Sequence, residues 1–405
     1  MSLLLSSFLN FINRTVFIRV LGVSFLGING LFTDILIMLS LADLGLATSM
    51  IYSFYRPLAN KDNDTLNALV HYYRKIYAKI AILIAVFGLS LLPFLNQVVQ
   101  FDQSIPHLWL YYLISLANTV ISYVFVYKTM ILQADQKNYL ISRNNILFNT
   151  IRSVTQITVV LLTGNYVAYL GIQLLSTFLS NLILSRKVES AYALHRVEGS
   201  DGIIDKKELF TNIKSVALYK FSQVVFSGTD NVLISILVGT IWVGYYSNYN
   251  LVIASIASMI SILYVSVSAS IGNVIEVESA KKKLDAFDTI QMISLWVTTF
   301  STVCLYLLLG DLIAIWLGKT YVLSGIILSA VIFNFYVMGI VQPIWVFREA
   351  TGIFKETKYI MVLAAIENLI LSFILGRYFG IAGIIFATAV SRLTTYFWYE
   401  PRILF

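Results

Sequence analysis

Nine ionisable side chains interrupt stretches that are otherwise apolar enough to cross a bilayer. Arg14, Arg19, Arg152, Lys220 and Arg392 are basic; Asp34, Asp43, Asp230 and Glu367 are acidic. Each costs about 2.5–3.5 kcal/mol at the centre of a membrane helix unless it is paired or wetted. Five cations against four carboxylates is close to balance, so one reading is structural ion pairing between helices, with snorkelling near the interfaces. The functional reading is a water-filled, net-positive cavity that holds an anionic group. Guanidinium suits that task because its planar fork matches two phosphate oxygens and it does not deprotonate. Lys220 and Asp230 lie roughly 15 Å apart along a helix and need other partners or water. Asp230 sits in FSGTDNVL, where Gly228, Thr229 and Asn231 crowd polar groups into mid-span. A locally loosened helix there is a candidate site for a proton or Na+ as coupling ion, alongside a plain small-residue packing seam. Glu367, followed by Asn368, and the second-span pair Asp34 and Asp43 carry the same two readings.

Other chemistry is poorly supported. The single cysteine, Cys304, has no partner for a disulfide, and His71, His107 and His195 show no metal-ligand spacing. No metal, haem or iron–sulfur group is expected, and no cofactor beyond a coupling H+ or Na+. Asp62-Asn63-Asp64 matches the D-x-D of many glycosyltransferases, but it precedes a helical pattern, NDTLNAL, and reads as a helix start. No P-loop, G-x-G-x-x-G or nucleophile elbow occurs, which argues against an ATP-driven pump and against an enzyme.

These side chains must be positioned by membrane helices. Hydrophobic residues make up 58% of the chain and charged residues only 12%, against roughly 45–50% and about 25% in soluble domains. The mean hydropathy is +0.80, and the charges fall in short clusters between long apolar runs. The fold class is an all-α polytopic membrane protein with no room for a soluble catalytic domain. The first residues, MSLLLSSFLN, read as part of a first helix rather than a cleavable signal. Spans are expected near 2–21, 25–55, 76–95, 108–127, 145–163, 166–185, 213–238, 242–274, 288–310, 323–346, 359–376 and 381–399. With the N-terminus inside, inner loops and helix ends collect 21 basic residues, Arg348 among them, while outer loops keep only Lys319 and Arg377. Both termini are therefore placed in the cytoplasm. The net charge of +7 belongs to those loops and does not point to nucleic acid. Trp109, Tyr111, Tyr112, Tyr245 and Tyr246 are assigned first to the interfacial aromatic belt.

The halves resemble each other. LGVSFLGING and VGTIWVGYYS share an apolar residue, Gly, four residues and Gly, so that Gly22 matches Gly239 and Gly27 matches Gly244 at an offset of 217. Both join a span to an unusually long one, 25–55 and 242–274. This predicts a six-plus-six repeat: an N-terminal lobe over 1–185, a cytoplasmic inter-lobe linker over 186–212 containing HRVEGSDGIIDKKEL, and a C-terminal lobe over 213–405.

FIRVLGVSFLGINGLF, SLADLGLATSMIYSFYRPLA, GTDNVLISILVGTIWVGYYSNY, SASIGNVI and FWYEPRILF resemble the polysaccharide-transport and O-antigen or capsule repeat-unit flippases of the multidrug/oligosaccharidyl-lipid/polysaccharide (MOP) exporter superfamily, most closely the Gram-positive branch. The resemblance covers nearly the whole chain. It implies two six-helix lobes around a central cavity and movement of undecaprenyl-diphosphate-linked oligosaccharide across the bacterial cytoplasmic membrane by ion-coupled alternating access. It also implies pathway partners in a polysaccharide polymerase and glycosyltransferases. The chain is read as a monomer. Arg14, Arg19 and Lys220 fall in or beside the matching segments and take a cavity role from the resemblance; Arg152 and Arg392 take it from the membrane-cost argument. Relatives usually carry residues before the first helix and a helix pair after the Glu400-Pro401 segment, so a late start and a shortened end are expected here. The alternatives are a multidrug exporter of the same superfamily, whose cavity should be rich in carboxylates, and a membrane polysaccharide polymerase, which needs a larger outer loop than the dozen or so residues available near 96–107 and 311–322.

Overall fold

The computed structural model describes residues 2–40, 46–100, 105–192, 194, 206–277 and 279–404, and every regular element among them is helical. In chain order the α-helices are α1 (Ser2–Leu21), α2 (Val23–Leu39), α3 (Leu46–Asn60), α4 (Asn63–Ser90), the short α5 (Leu95–Val98), α6 (Leu108–Ala134), α7 (Asn138–Thr163), α8 (Tyr166–Ala191), α9 (Lys206–Leu237), α10 (Thr240–Val277), α11 (Ala280–Trp316), α12 (Gly325–Thr351), α13 (Phe354–Thr394) and α14 (Tyr396–Leu404). Eight candidate spans among the described residues are long and apolar enough to cross a membrane, and α2 is a shorter apolar helix. The chain is a multi-pass membrane protein.

The helix ends follow local chemistry. Asp62 starts α4 by accepting hydrogen bonds from the Thr65 amide at 3.0 Å and its hydroxyl at 2.6 Å. Those bonds hold the Asp62 carboxyl below the ordinary carboxylate value, so the D-x-D pattern is a helix cap. Between α6 and α7, Asp135 is bonded by Lys137 at 2.6 Å and by the Tyr192 hydroxyl at 2.5 Å. Burial opposes the Asp135 charge, but these bonds outweigh it and keep its pKa low.

Several expectations change. The second span is not one long helix: α2 ends at Leu39 and α3 begins at Leu46, with residues 41–45 outside the described residues. Asp43 lies outside the described residues. Helix α9 runs unbroken through Gly228 to Leu237, so no loosened turn surrounds Asp230. Much of the expected linker is helical, since α8 reaches Ala191 and α9 begins at Lys206, while residues 193 and 195–205 lie outside the described residues. The last two expected spans do form two helices, the halves of α13, which folds back on itself at Gly380 (φ 58°, ψ −135°), a conformation that only glycine adopts cheaply, so that Asn368 and Thr388 meet across the turn. Tyr111, Tyr112 and Tyr246 are buried among the helices, and Tyr112 donates to the Gly88 carbonyl at 3.0 Å.

The chain divides into two compact units. The first holds α1, α2 from Ile35 onward, α3, α4, α6, α7, α8 and the chain up to Lys220; α6 packs against α4 and α8, and α7 against α1 and α8. The second holds Leu26–Asp34, a stretch from Val98, and the chain from Phe221; α12 packs against α10, α11 and α13.

Within the second unit the Gly27 end of the first glycine motif meets the second copy at Thr240 and Gly244. Gly22 (φ 91°) and Gly239 (φ 127°) each break the chain just before a helix. Gly27 packs so tightly on α10 that a Cβ there would stand 2.2 Å from the Thr240 carbonyl oxygen and 3.3 Å from the Gly244 nitrogen. Thr240 is itself tied down, because its hydroxyl accepts from the Gln100 amide at 2.9 Å and pairs with Ser235 at 2.6 Å. Backbone cannot yield to a methyl group here, and overpacking of this kind costs about 1–3 kcal/mol or more. Gly27→Ala should therefore lower the melting temperature or the folded yield in detergent. Gly171→Ala on α8, with nothing within 4 Å of the added carbon, should be neutral or gain about 0.5–1 kcal/mol.

Arg348, expected among the inner loops and helix ends, lies in the last turn of α12, but it is 1% exposed and grips Glu400 of α14 through Nη1 at 3.0 and 3.2 Å. The pair docks the C-terminal helix. Removing one partner leaves a buried charge, which costs about 3–5 kcal/mol. Arg348→Met or Glu400→Leu alone should destabilise the protein sharply in thermal melts, while the double substitution should recover most of the loss.

Candidate functional site

Two polar nodes form inside the apolar helices, one in each unit. In the first unit Asn13 of α1 donates to the Gln156 side-chain oxygen of α7 at 3.1 Å, and Gln156 donates to the Tyr169 carbonyl of α8 at 3.1 Å. Arg14 and Arg152, on α1 and α7, both lie within electrostatic reach of the Tyr169 hydroxyl. An aromatic wall surrounds this point: Phe17 stands edge-on to Tyr166 and Tyr169, with ring centroids at 5.8 and 4.9 Å. The structure thus brings together two of the five basic candidates. Arg19 is exposed in the last turn of α1, and Lys220 is half-buried on α9.

The node in the second unit is built around Asp230 of α9. Both its oxygens accept from the Thr388 hydroxyl, at 3.0 and 3.1 Å. Asn368 donates to Thr388 at 2.9 Å, and Thr229 donates to Asn368 at 3.4 Å. Ser372, one turn beyond Asn368, donates to the Ile384 carbonyl at 3.4 Å. Two side chains four residues from this pairing repeat it one turn along, because the Arg392 guanidinium lies over the Phe226 ring, 5.4 Å from its centroid. Arg392 also donates to Asn334 at 2.8 Å. Asp34 of α2 joins the node through Asn231, which donates to it at 2.6 Å. Asp34 and Arg392 both act electrostatically on Asp230, and all three act on the Tyr246 hydroxyl. The side-chain oxygen of Asn231 is buried with no hydrogen-bond partner.

Two carboxylates and one guanidinium leave this node with a surplus negative charge when both acids are ionised. Amide, hydroxyl and carbonyl oxygens crowd the same spot, the donor set that hard cations prefer. An uncompensated charge in low dielectric is expensive, so the node is suited to take up a small cation or a proton. Glu367 stands apart, accepting from Thr394. Among the described residues no group of three or more His, Cys, Asp or Glu could hold a metal ion.

The two nodes are related by the same offset as the glycines: adding 217 takes Asn13 to Asp230 and Arg14 to Asn231. In both units the first helix of the copy bonds its polar residue to the closing pair of helices. Gln156, Tyr169, Asn368, Ser372 and Thr388 emerge only from the structure as the partners of the charged residues. Their signal was faint: single uncharged polar residues in apolar spans, with Asn368 and Ser372 one helical turn apart.

No protein-family model and no curated protein matches the chain. Solved structures do. An inward-facing multidrug resistance MATE family transporter of the MOP superfamily superposes with a TM-score of 0.69 at 14% identity, covering 98% of this chain and 94% of that one. The lipid II flippase MurJ, in an inward closed conformation, gives 0.73 at 15% identity, with 97% and 84% covered. A MOP superfamily transporter from Pyrococcus furiosus, whose binding pocket of reverse polarity suggests a different function, gives 0.63 at 12% identity, with 100% and 93% covered. The chain therefore has the fold shared by MATE transporters and a lipid-linked flippase. At these identities the likeness defines the fold.

The Asp230 node generates a direct test. At constant ionic strength, replacing choline by Na+ should raise the melting temperature of the purified protein, by mass action of about 2.7 kcal/mol at one hundred times Kd. Asp230→Asn and Thr388→Val should each remove the effect. Melting that ignores Na+ but shifts with pH, with the shift lost in Asp230→Asn, would assign a proton instead. Indifference to both ions would rule the node out as a cation site.

Proposed function

We propose that the protein is a MOP-superfamily flippase that moves an undecaprenyl-diphosphate-linked oligosaccharide from the inner to the outer leaflet of a bacterial cytoplasmic membrane, with both chain termini inside. The observation that carries this reading is that Arg14 of α1 and Arg152 of α7, inside one apolar helix bundle, both act electrostatically on Tyr169 of α8. Two guanidiniums so placed suit a diphosphate, whose oxygens each planar fork can engage in pairs. The fold is also that of a lipid II flippase, which supports a lipid-linked cargo. Arg19 and Lys220 are the further cargo contacts in this reading. Arg392 belongs with the Asp230 node, where Asp230 and Asp34 take the coupling H+ or Na+ and Glu367 is a peripheral acid. Export would serve capsule, exopolysaccharide or O-antigen synthesis, beside a polymerase and glycosyltransferases acting on the same carrier.

The fold of a multidrug transporter and the acid surplus around Asp230 favour a second reading, export of cationic drugs. The two separate cleanly. In proteoliposomes loaded with undecaprenyl-diphosphate bearing one sugar, Arg14→Gln and Arg152→Gln should each cut transfer between leaflets at least about tenfold, the loss of roughly one charged hydrogen bond. Unchanged transfer in both variants, together with raised drug tolerance in cells that express the wild type, would favour the second reading.

A further inference from the structure

In the first unit, the start of α7 and the end of α8 form a recess of about 80 Å³. At roughly 10–15 Å³ for each water-sized centre, it has room for about five heavy atoms, the size of one phosphate group. Leu140, Arg143 and Leu147 of α7 line one side, and Leu184, Lys187 and Ala191 of α8 line the other. Both sets follow the spacing i, i+3 and i+7, which puts each on a single helix face. Behind them Asn144, 6% exposed, donates to the Ser180 hydroxyl at 2.8 Å and ties α7 to α8.

Two cations share this recess, and its lining contains no acid. Two neighbouring lysines are paired: Lys128 with Glu189 at 2.5 Å and Ser185 at 2.6 Å, and Lys137 with Asp135 at 2.6 Å. Among the described residues, Arg143 and Lys187 form no ion pair. Like charges on one recess repel each other, and an anion between them removes that cost. Arg143 stands five residues from the start of α7 and Lys187 four from the end of α8. Each helix has 26 residues, about 39 Å against the roughly 30 Å of the hydrocarbon core. The recess therefore lies at headgroup depth, on the inner leaflet in the topology proposed above. From it an exposed apolar row, Leu147, Ile151, Val154 and Leu161, runs about 20 Å along α7 into the span.

We propose that the recess binds an anionic phospholipid of the inner leaflet, with its phosphate between Arg143 and Lys187 and an acyl chain along the Leu147 row. The guanidinium takes two phosphate oxygens as a fork and the ammonium adds a point charge. Basic pockets between membrane helices on the cytoplasmic side suit such headgroups. A zwitterionic headgroup would bring its own cation against the two basic side chains. A free phosphate would leave the apolar part of the recess and the row beyond it uncovered. Arg143 is nine residues before Arg152 on α7, roughly 13 Å away, so the site stands whatever cargo the first node takes.

The experiment uses the purified full chain in a non-ionic detergent and measures binding of dioctanoyl-phosphatidylglycerol and dioctanoyl-phosphatidylcholine by native mass spectrometry, with inorganic phosphate as competitor. The wild type should bind phosphatidylglycerol about tenfold more tightly than phosphatidylcholine, and phosphate at equal concentration should not displace it. Arg143→Gln and Lys187→Gln should each lower the preference about fivefold, the worth of one basic side chain at an anionic headgroup. Ala191→Trp, which fills the recess and keeps both charges, should remove it. Arg186→Gln takes the same charge from the position next to Lys187, outside the recess, and should leave the preference within about twofold. All four positions are exposed, so the variants should melt like the wild type. Equal losses in Arg186→Gln and Lys187→Gln overturn the site in favour of a diffuse basic surface. Displacement by equimolar phosphate overturns the lipid in favour of a free anion. A wild type without the preference, or a preference that survives Ala191→Trp, overturns the proposal outright.

Discussion

A charge carried into hydrocarbon must meet an opposite charge, a set of hydrogen bonds or water, and that requirement orders the interior of both units. Arg348 meets Glu400 and thereby docks the last helix. Asp230 meets Thr388, which Asn368 bonds in turn. Arg392 meets Asn334 and the face of Phe226. Each of these groups ties together helices that apolar contact alone would leave free to slide, since lipid tails compete with Leu and Val for such contact.

The duplicated glycine motif shows what sets the backbone on which these contacts hang. Gly27 admits the Thr240 carbonyl at the start of α10 where any side chain would collide. The same offset relates Asn13 to Asp230. One plan has thus been used twice with different charges: amide hydrogen bonds beside two guanidiniums in the first unit, a carboxylate pair with one guanidinium in the second. In the reading proposed above, the first node holds the anionic cargo and the second the coupling cation. Reciprocal linkage then needs only that each ligand favour one conformation over the other.

Much of this was legible in the residues. The twelve expected spans correspond to described helices, apart from the break after Leu39, because hydropathy over about 20 residues is a strong signal. The split at Gly22 and Gly239 and the turn at Gly380 all sit at glycines with positive φ. The nine intramembrane ionisable groups pointed at Asp230 and Arg14, because their cost needs no knowledge of neighbours. Arg348 was misjudged because its run position at a helix end looks like a loop cation, and nothing local reveals Glu400, 52 residues on.

By itself, then, the sequence determined that the chain is a multi-pass helical membrane protein, where most helices begin and end, and which buried charges demand explanation. Those depend on hydration cost and local backbone chemistry, which each residue carries with it. Only the tertiary structure decided the partners: that Arg14 and Arg152 both act on Tyr169, that Asp34 and Arg392 bear on Asp230, and that Arg348 meets Glu400. These pairings join residues tens to hundreds of positions apart, and the distances that make them chemistry exist only after the helices have packed.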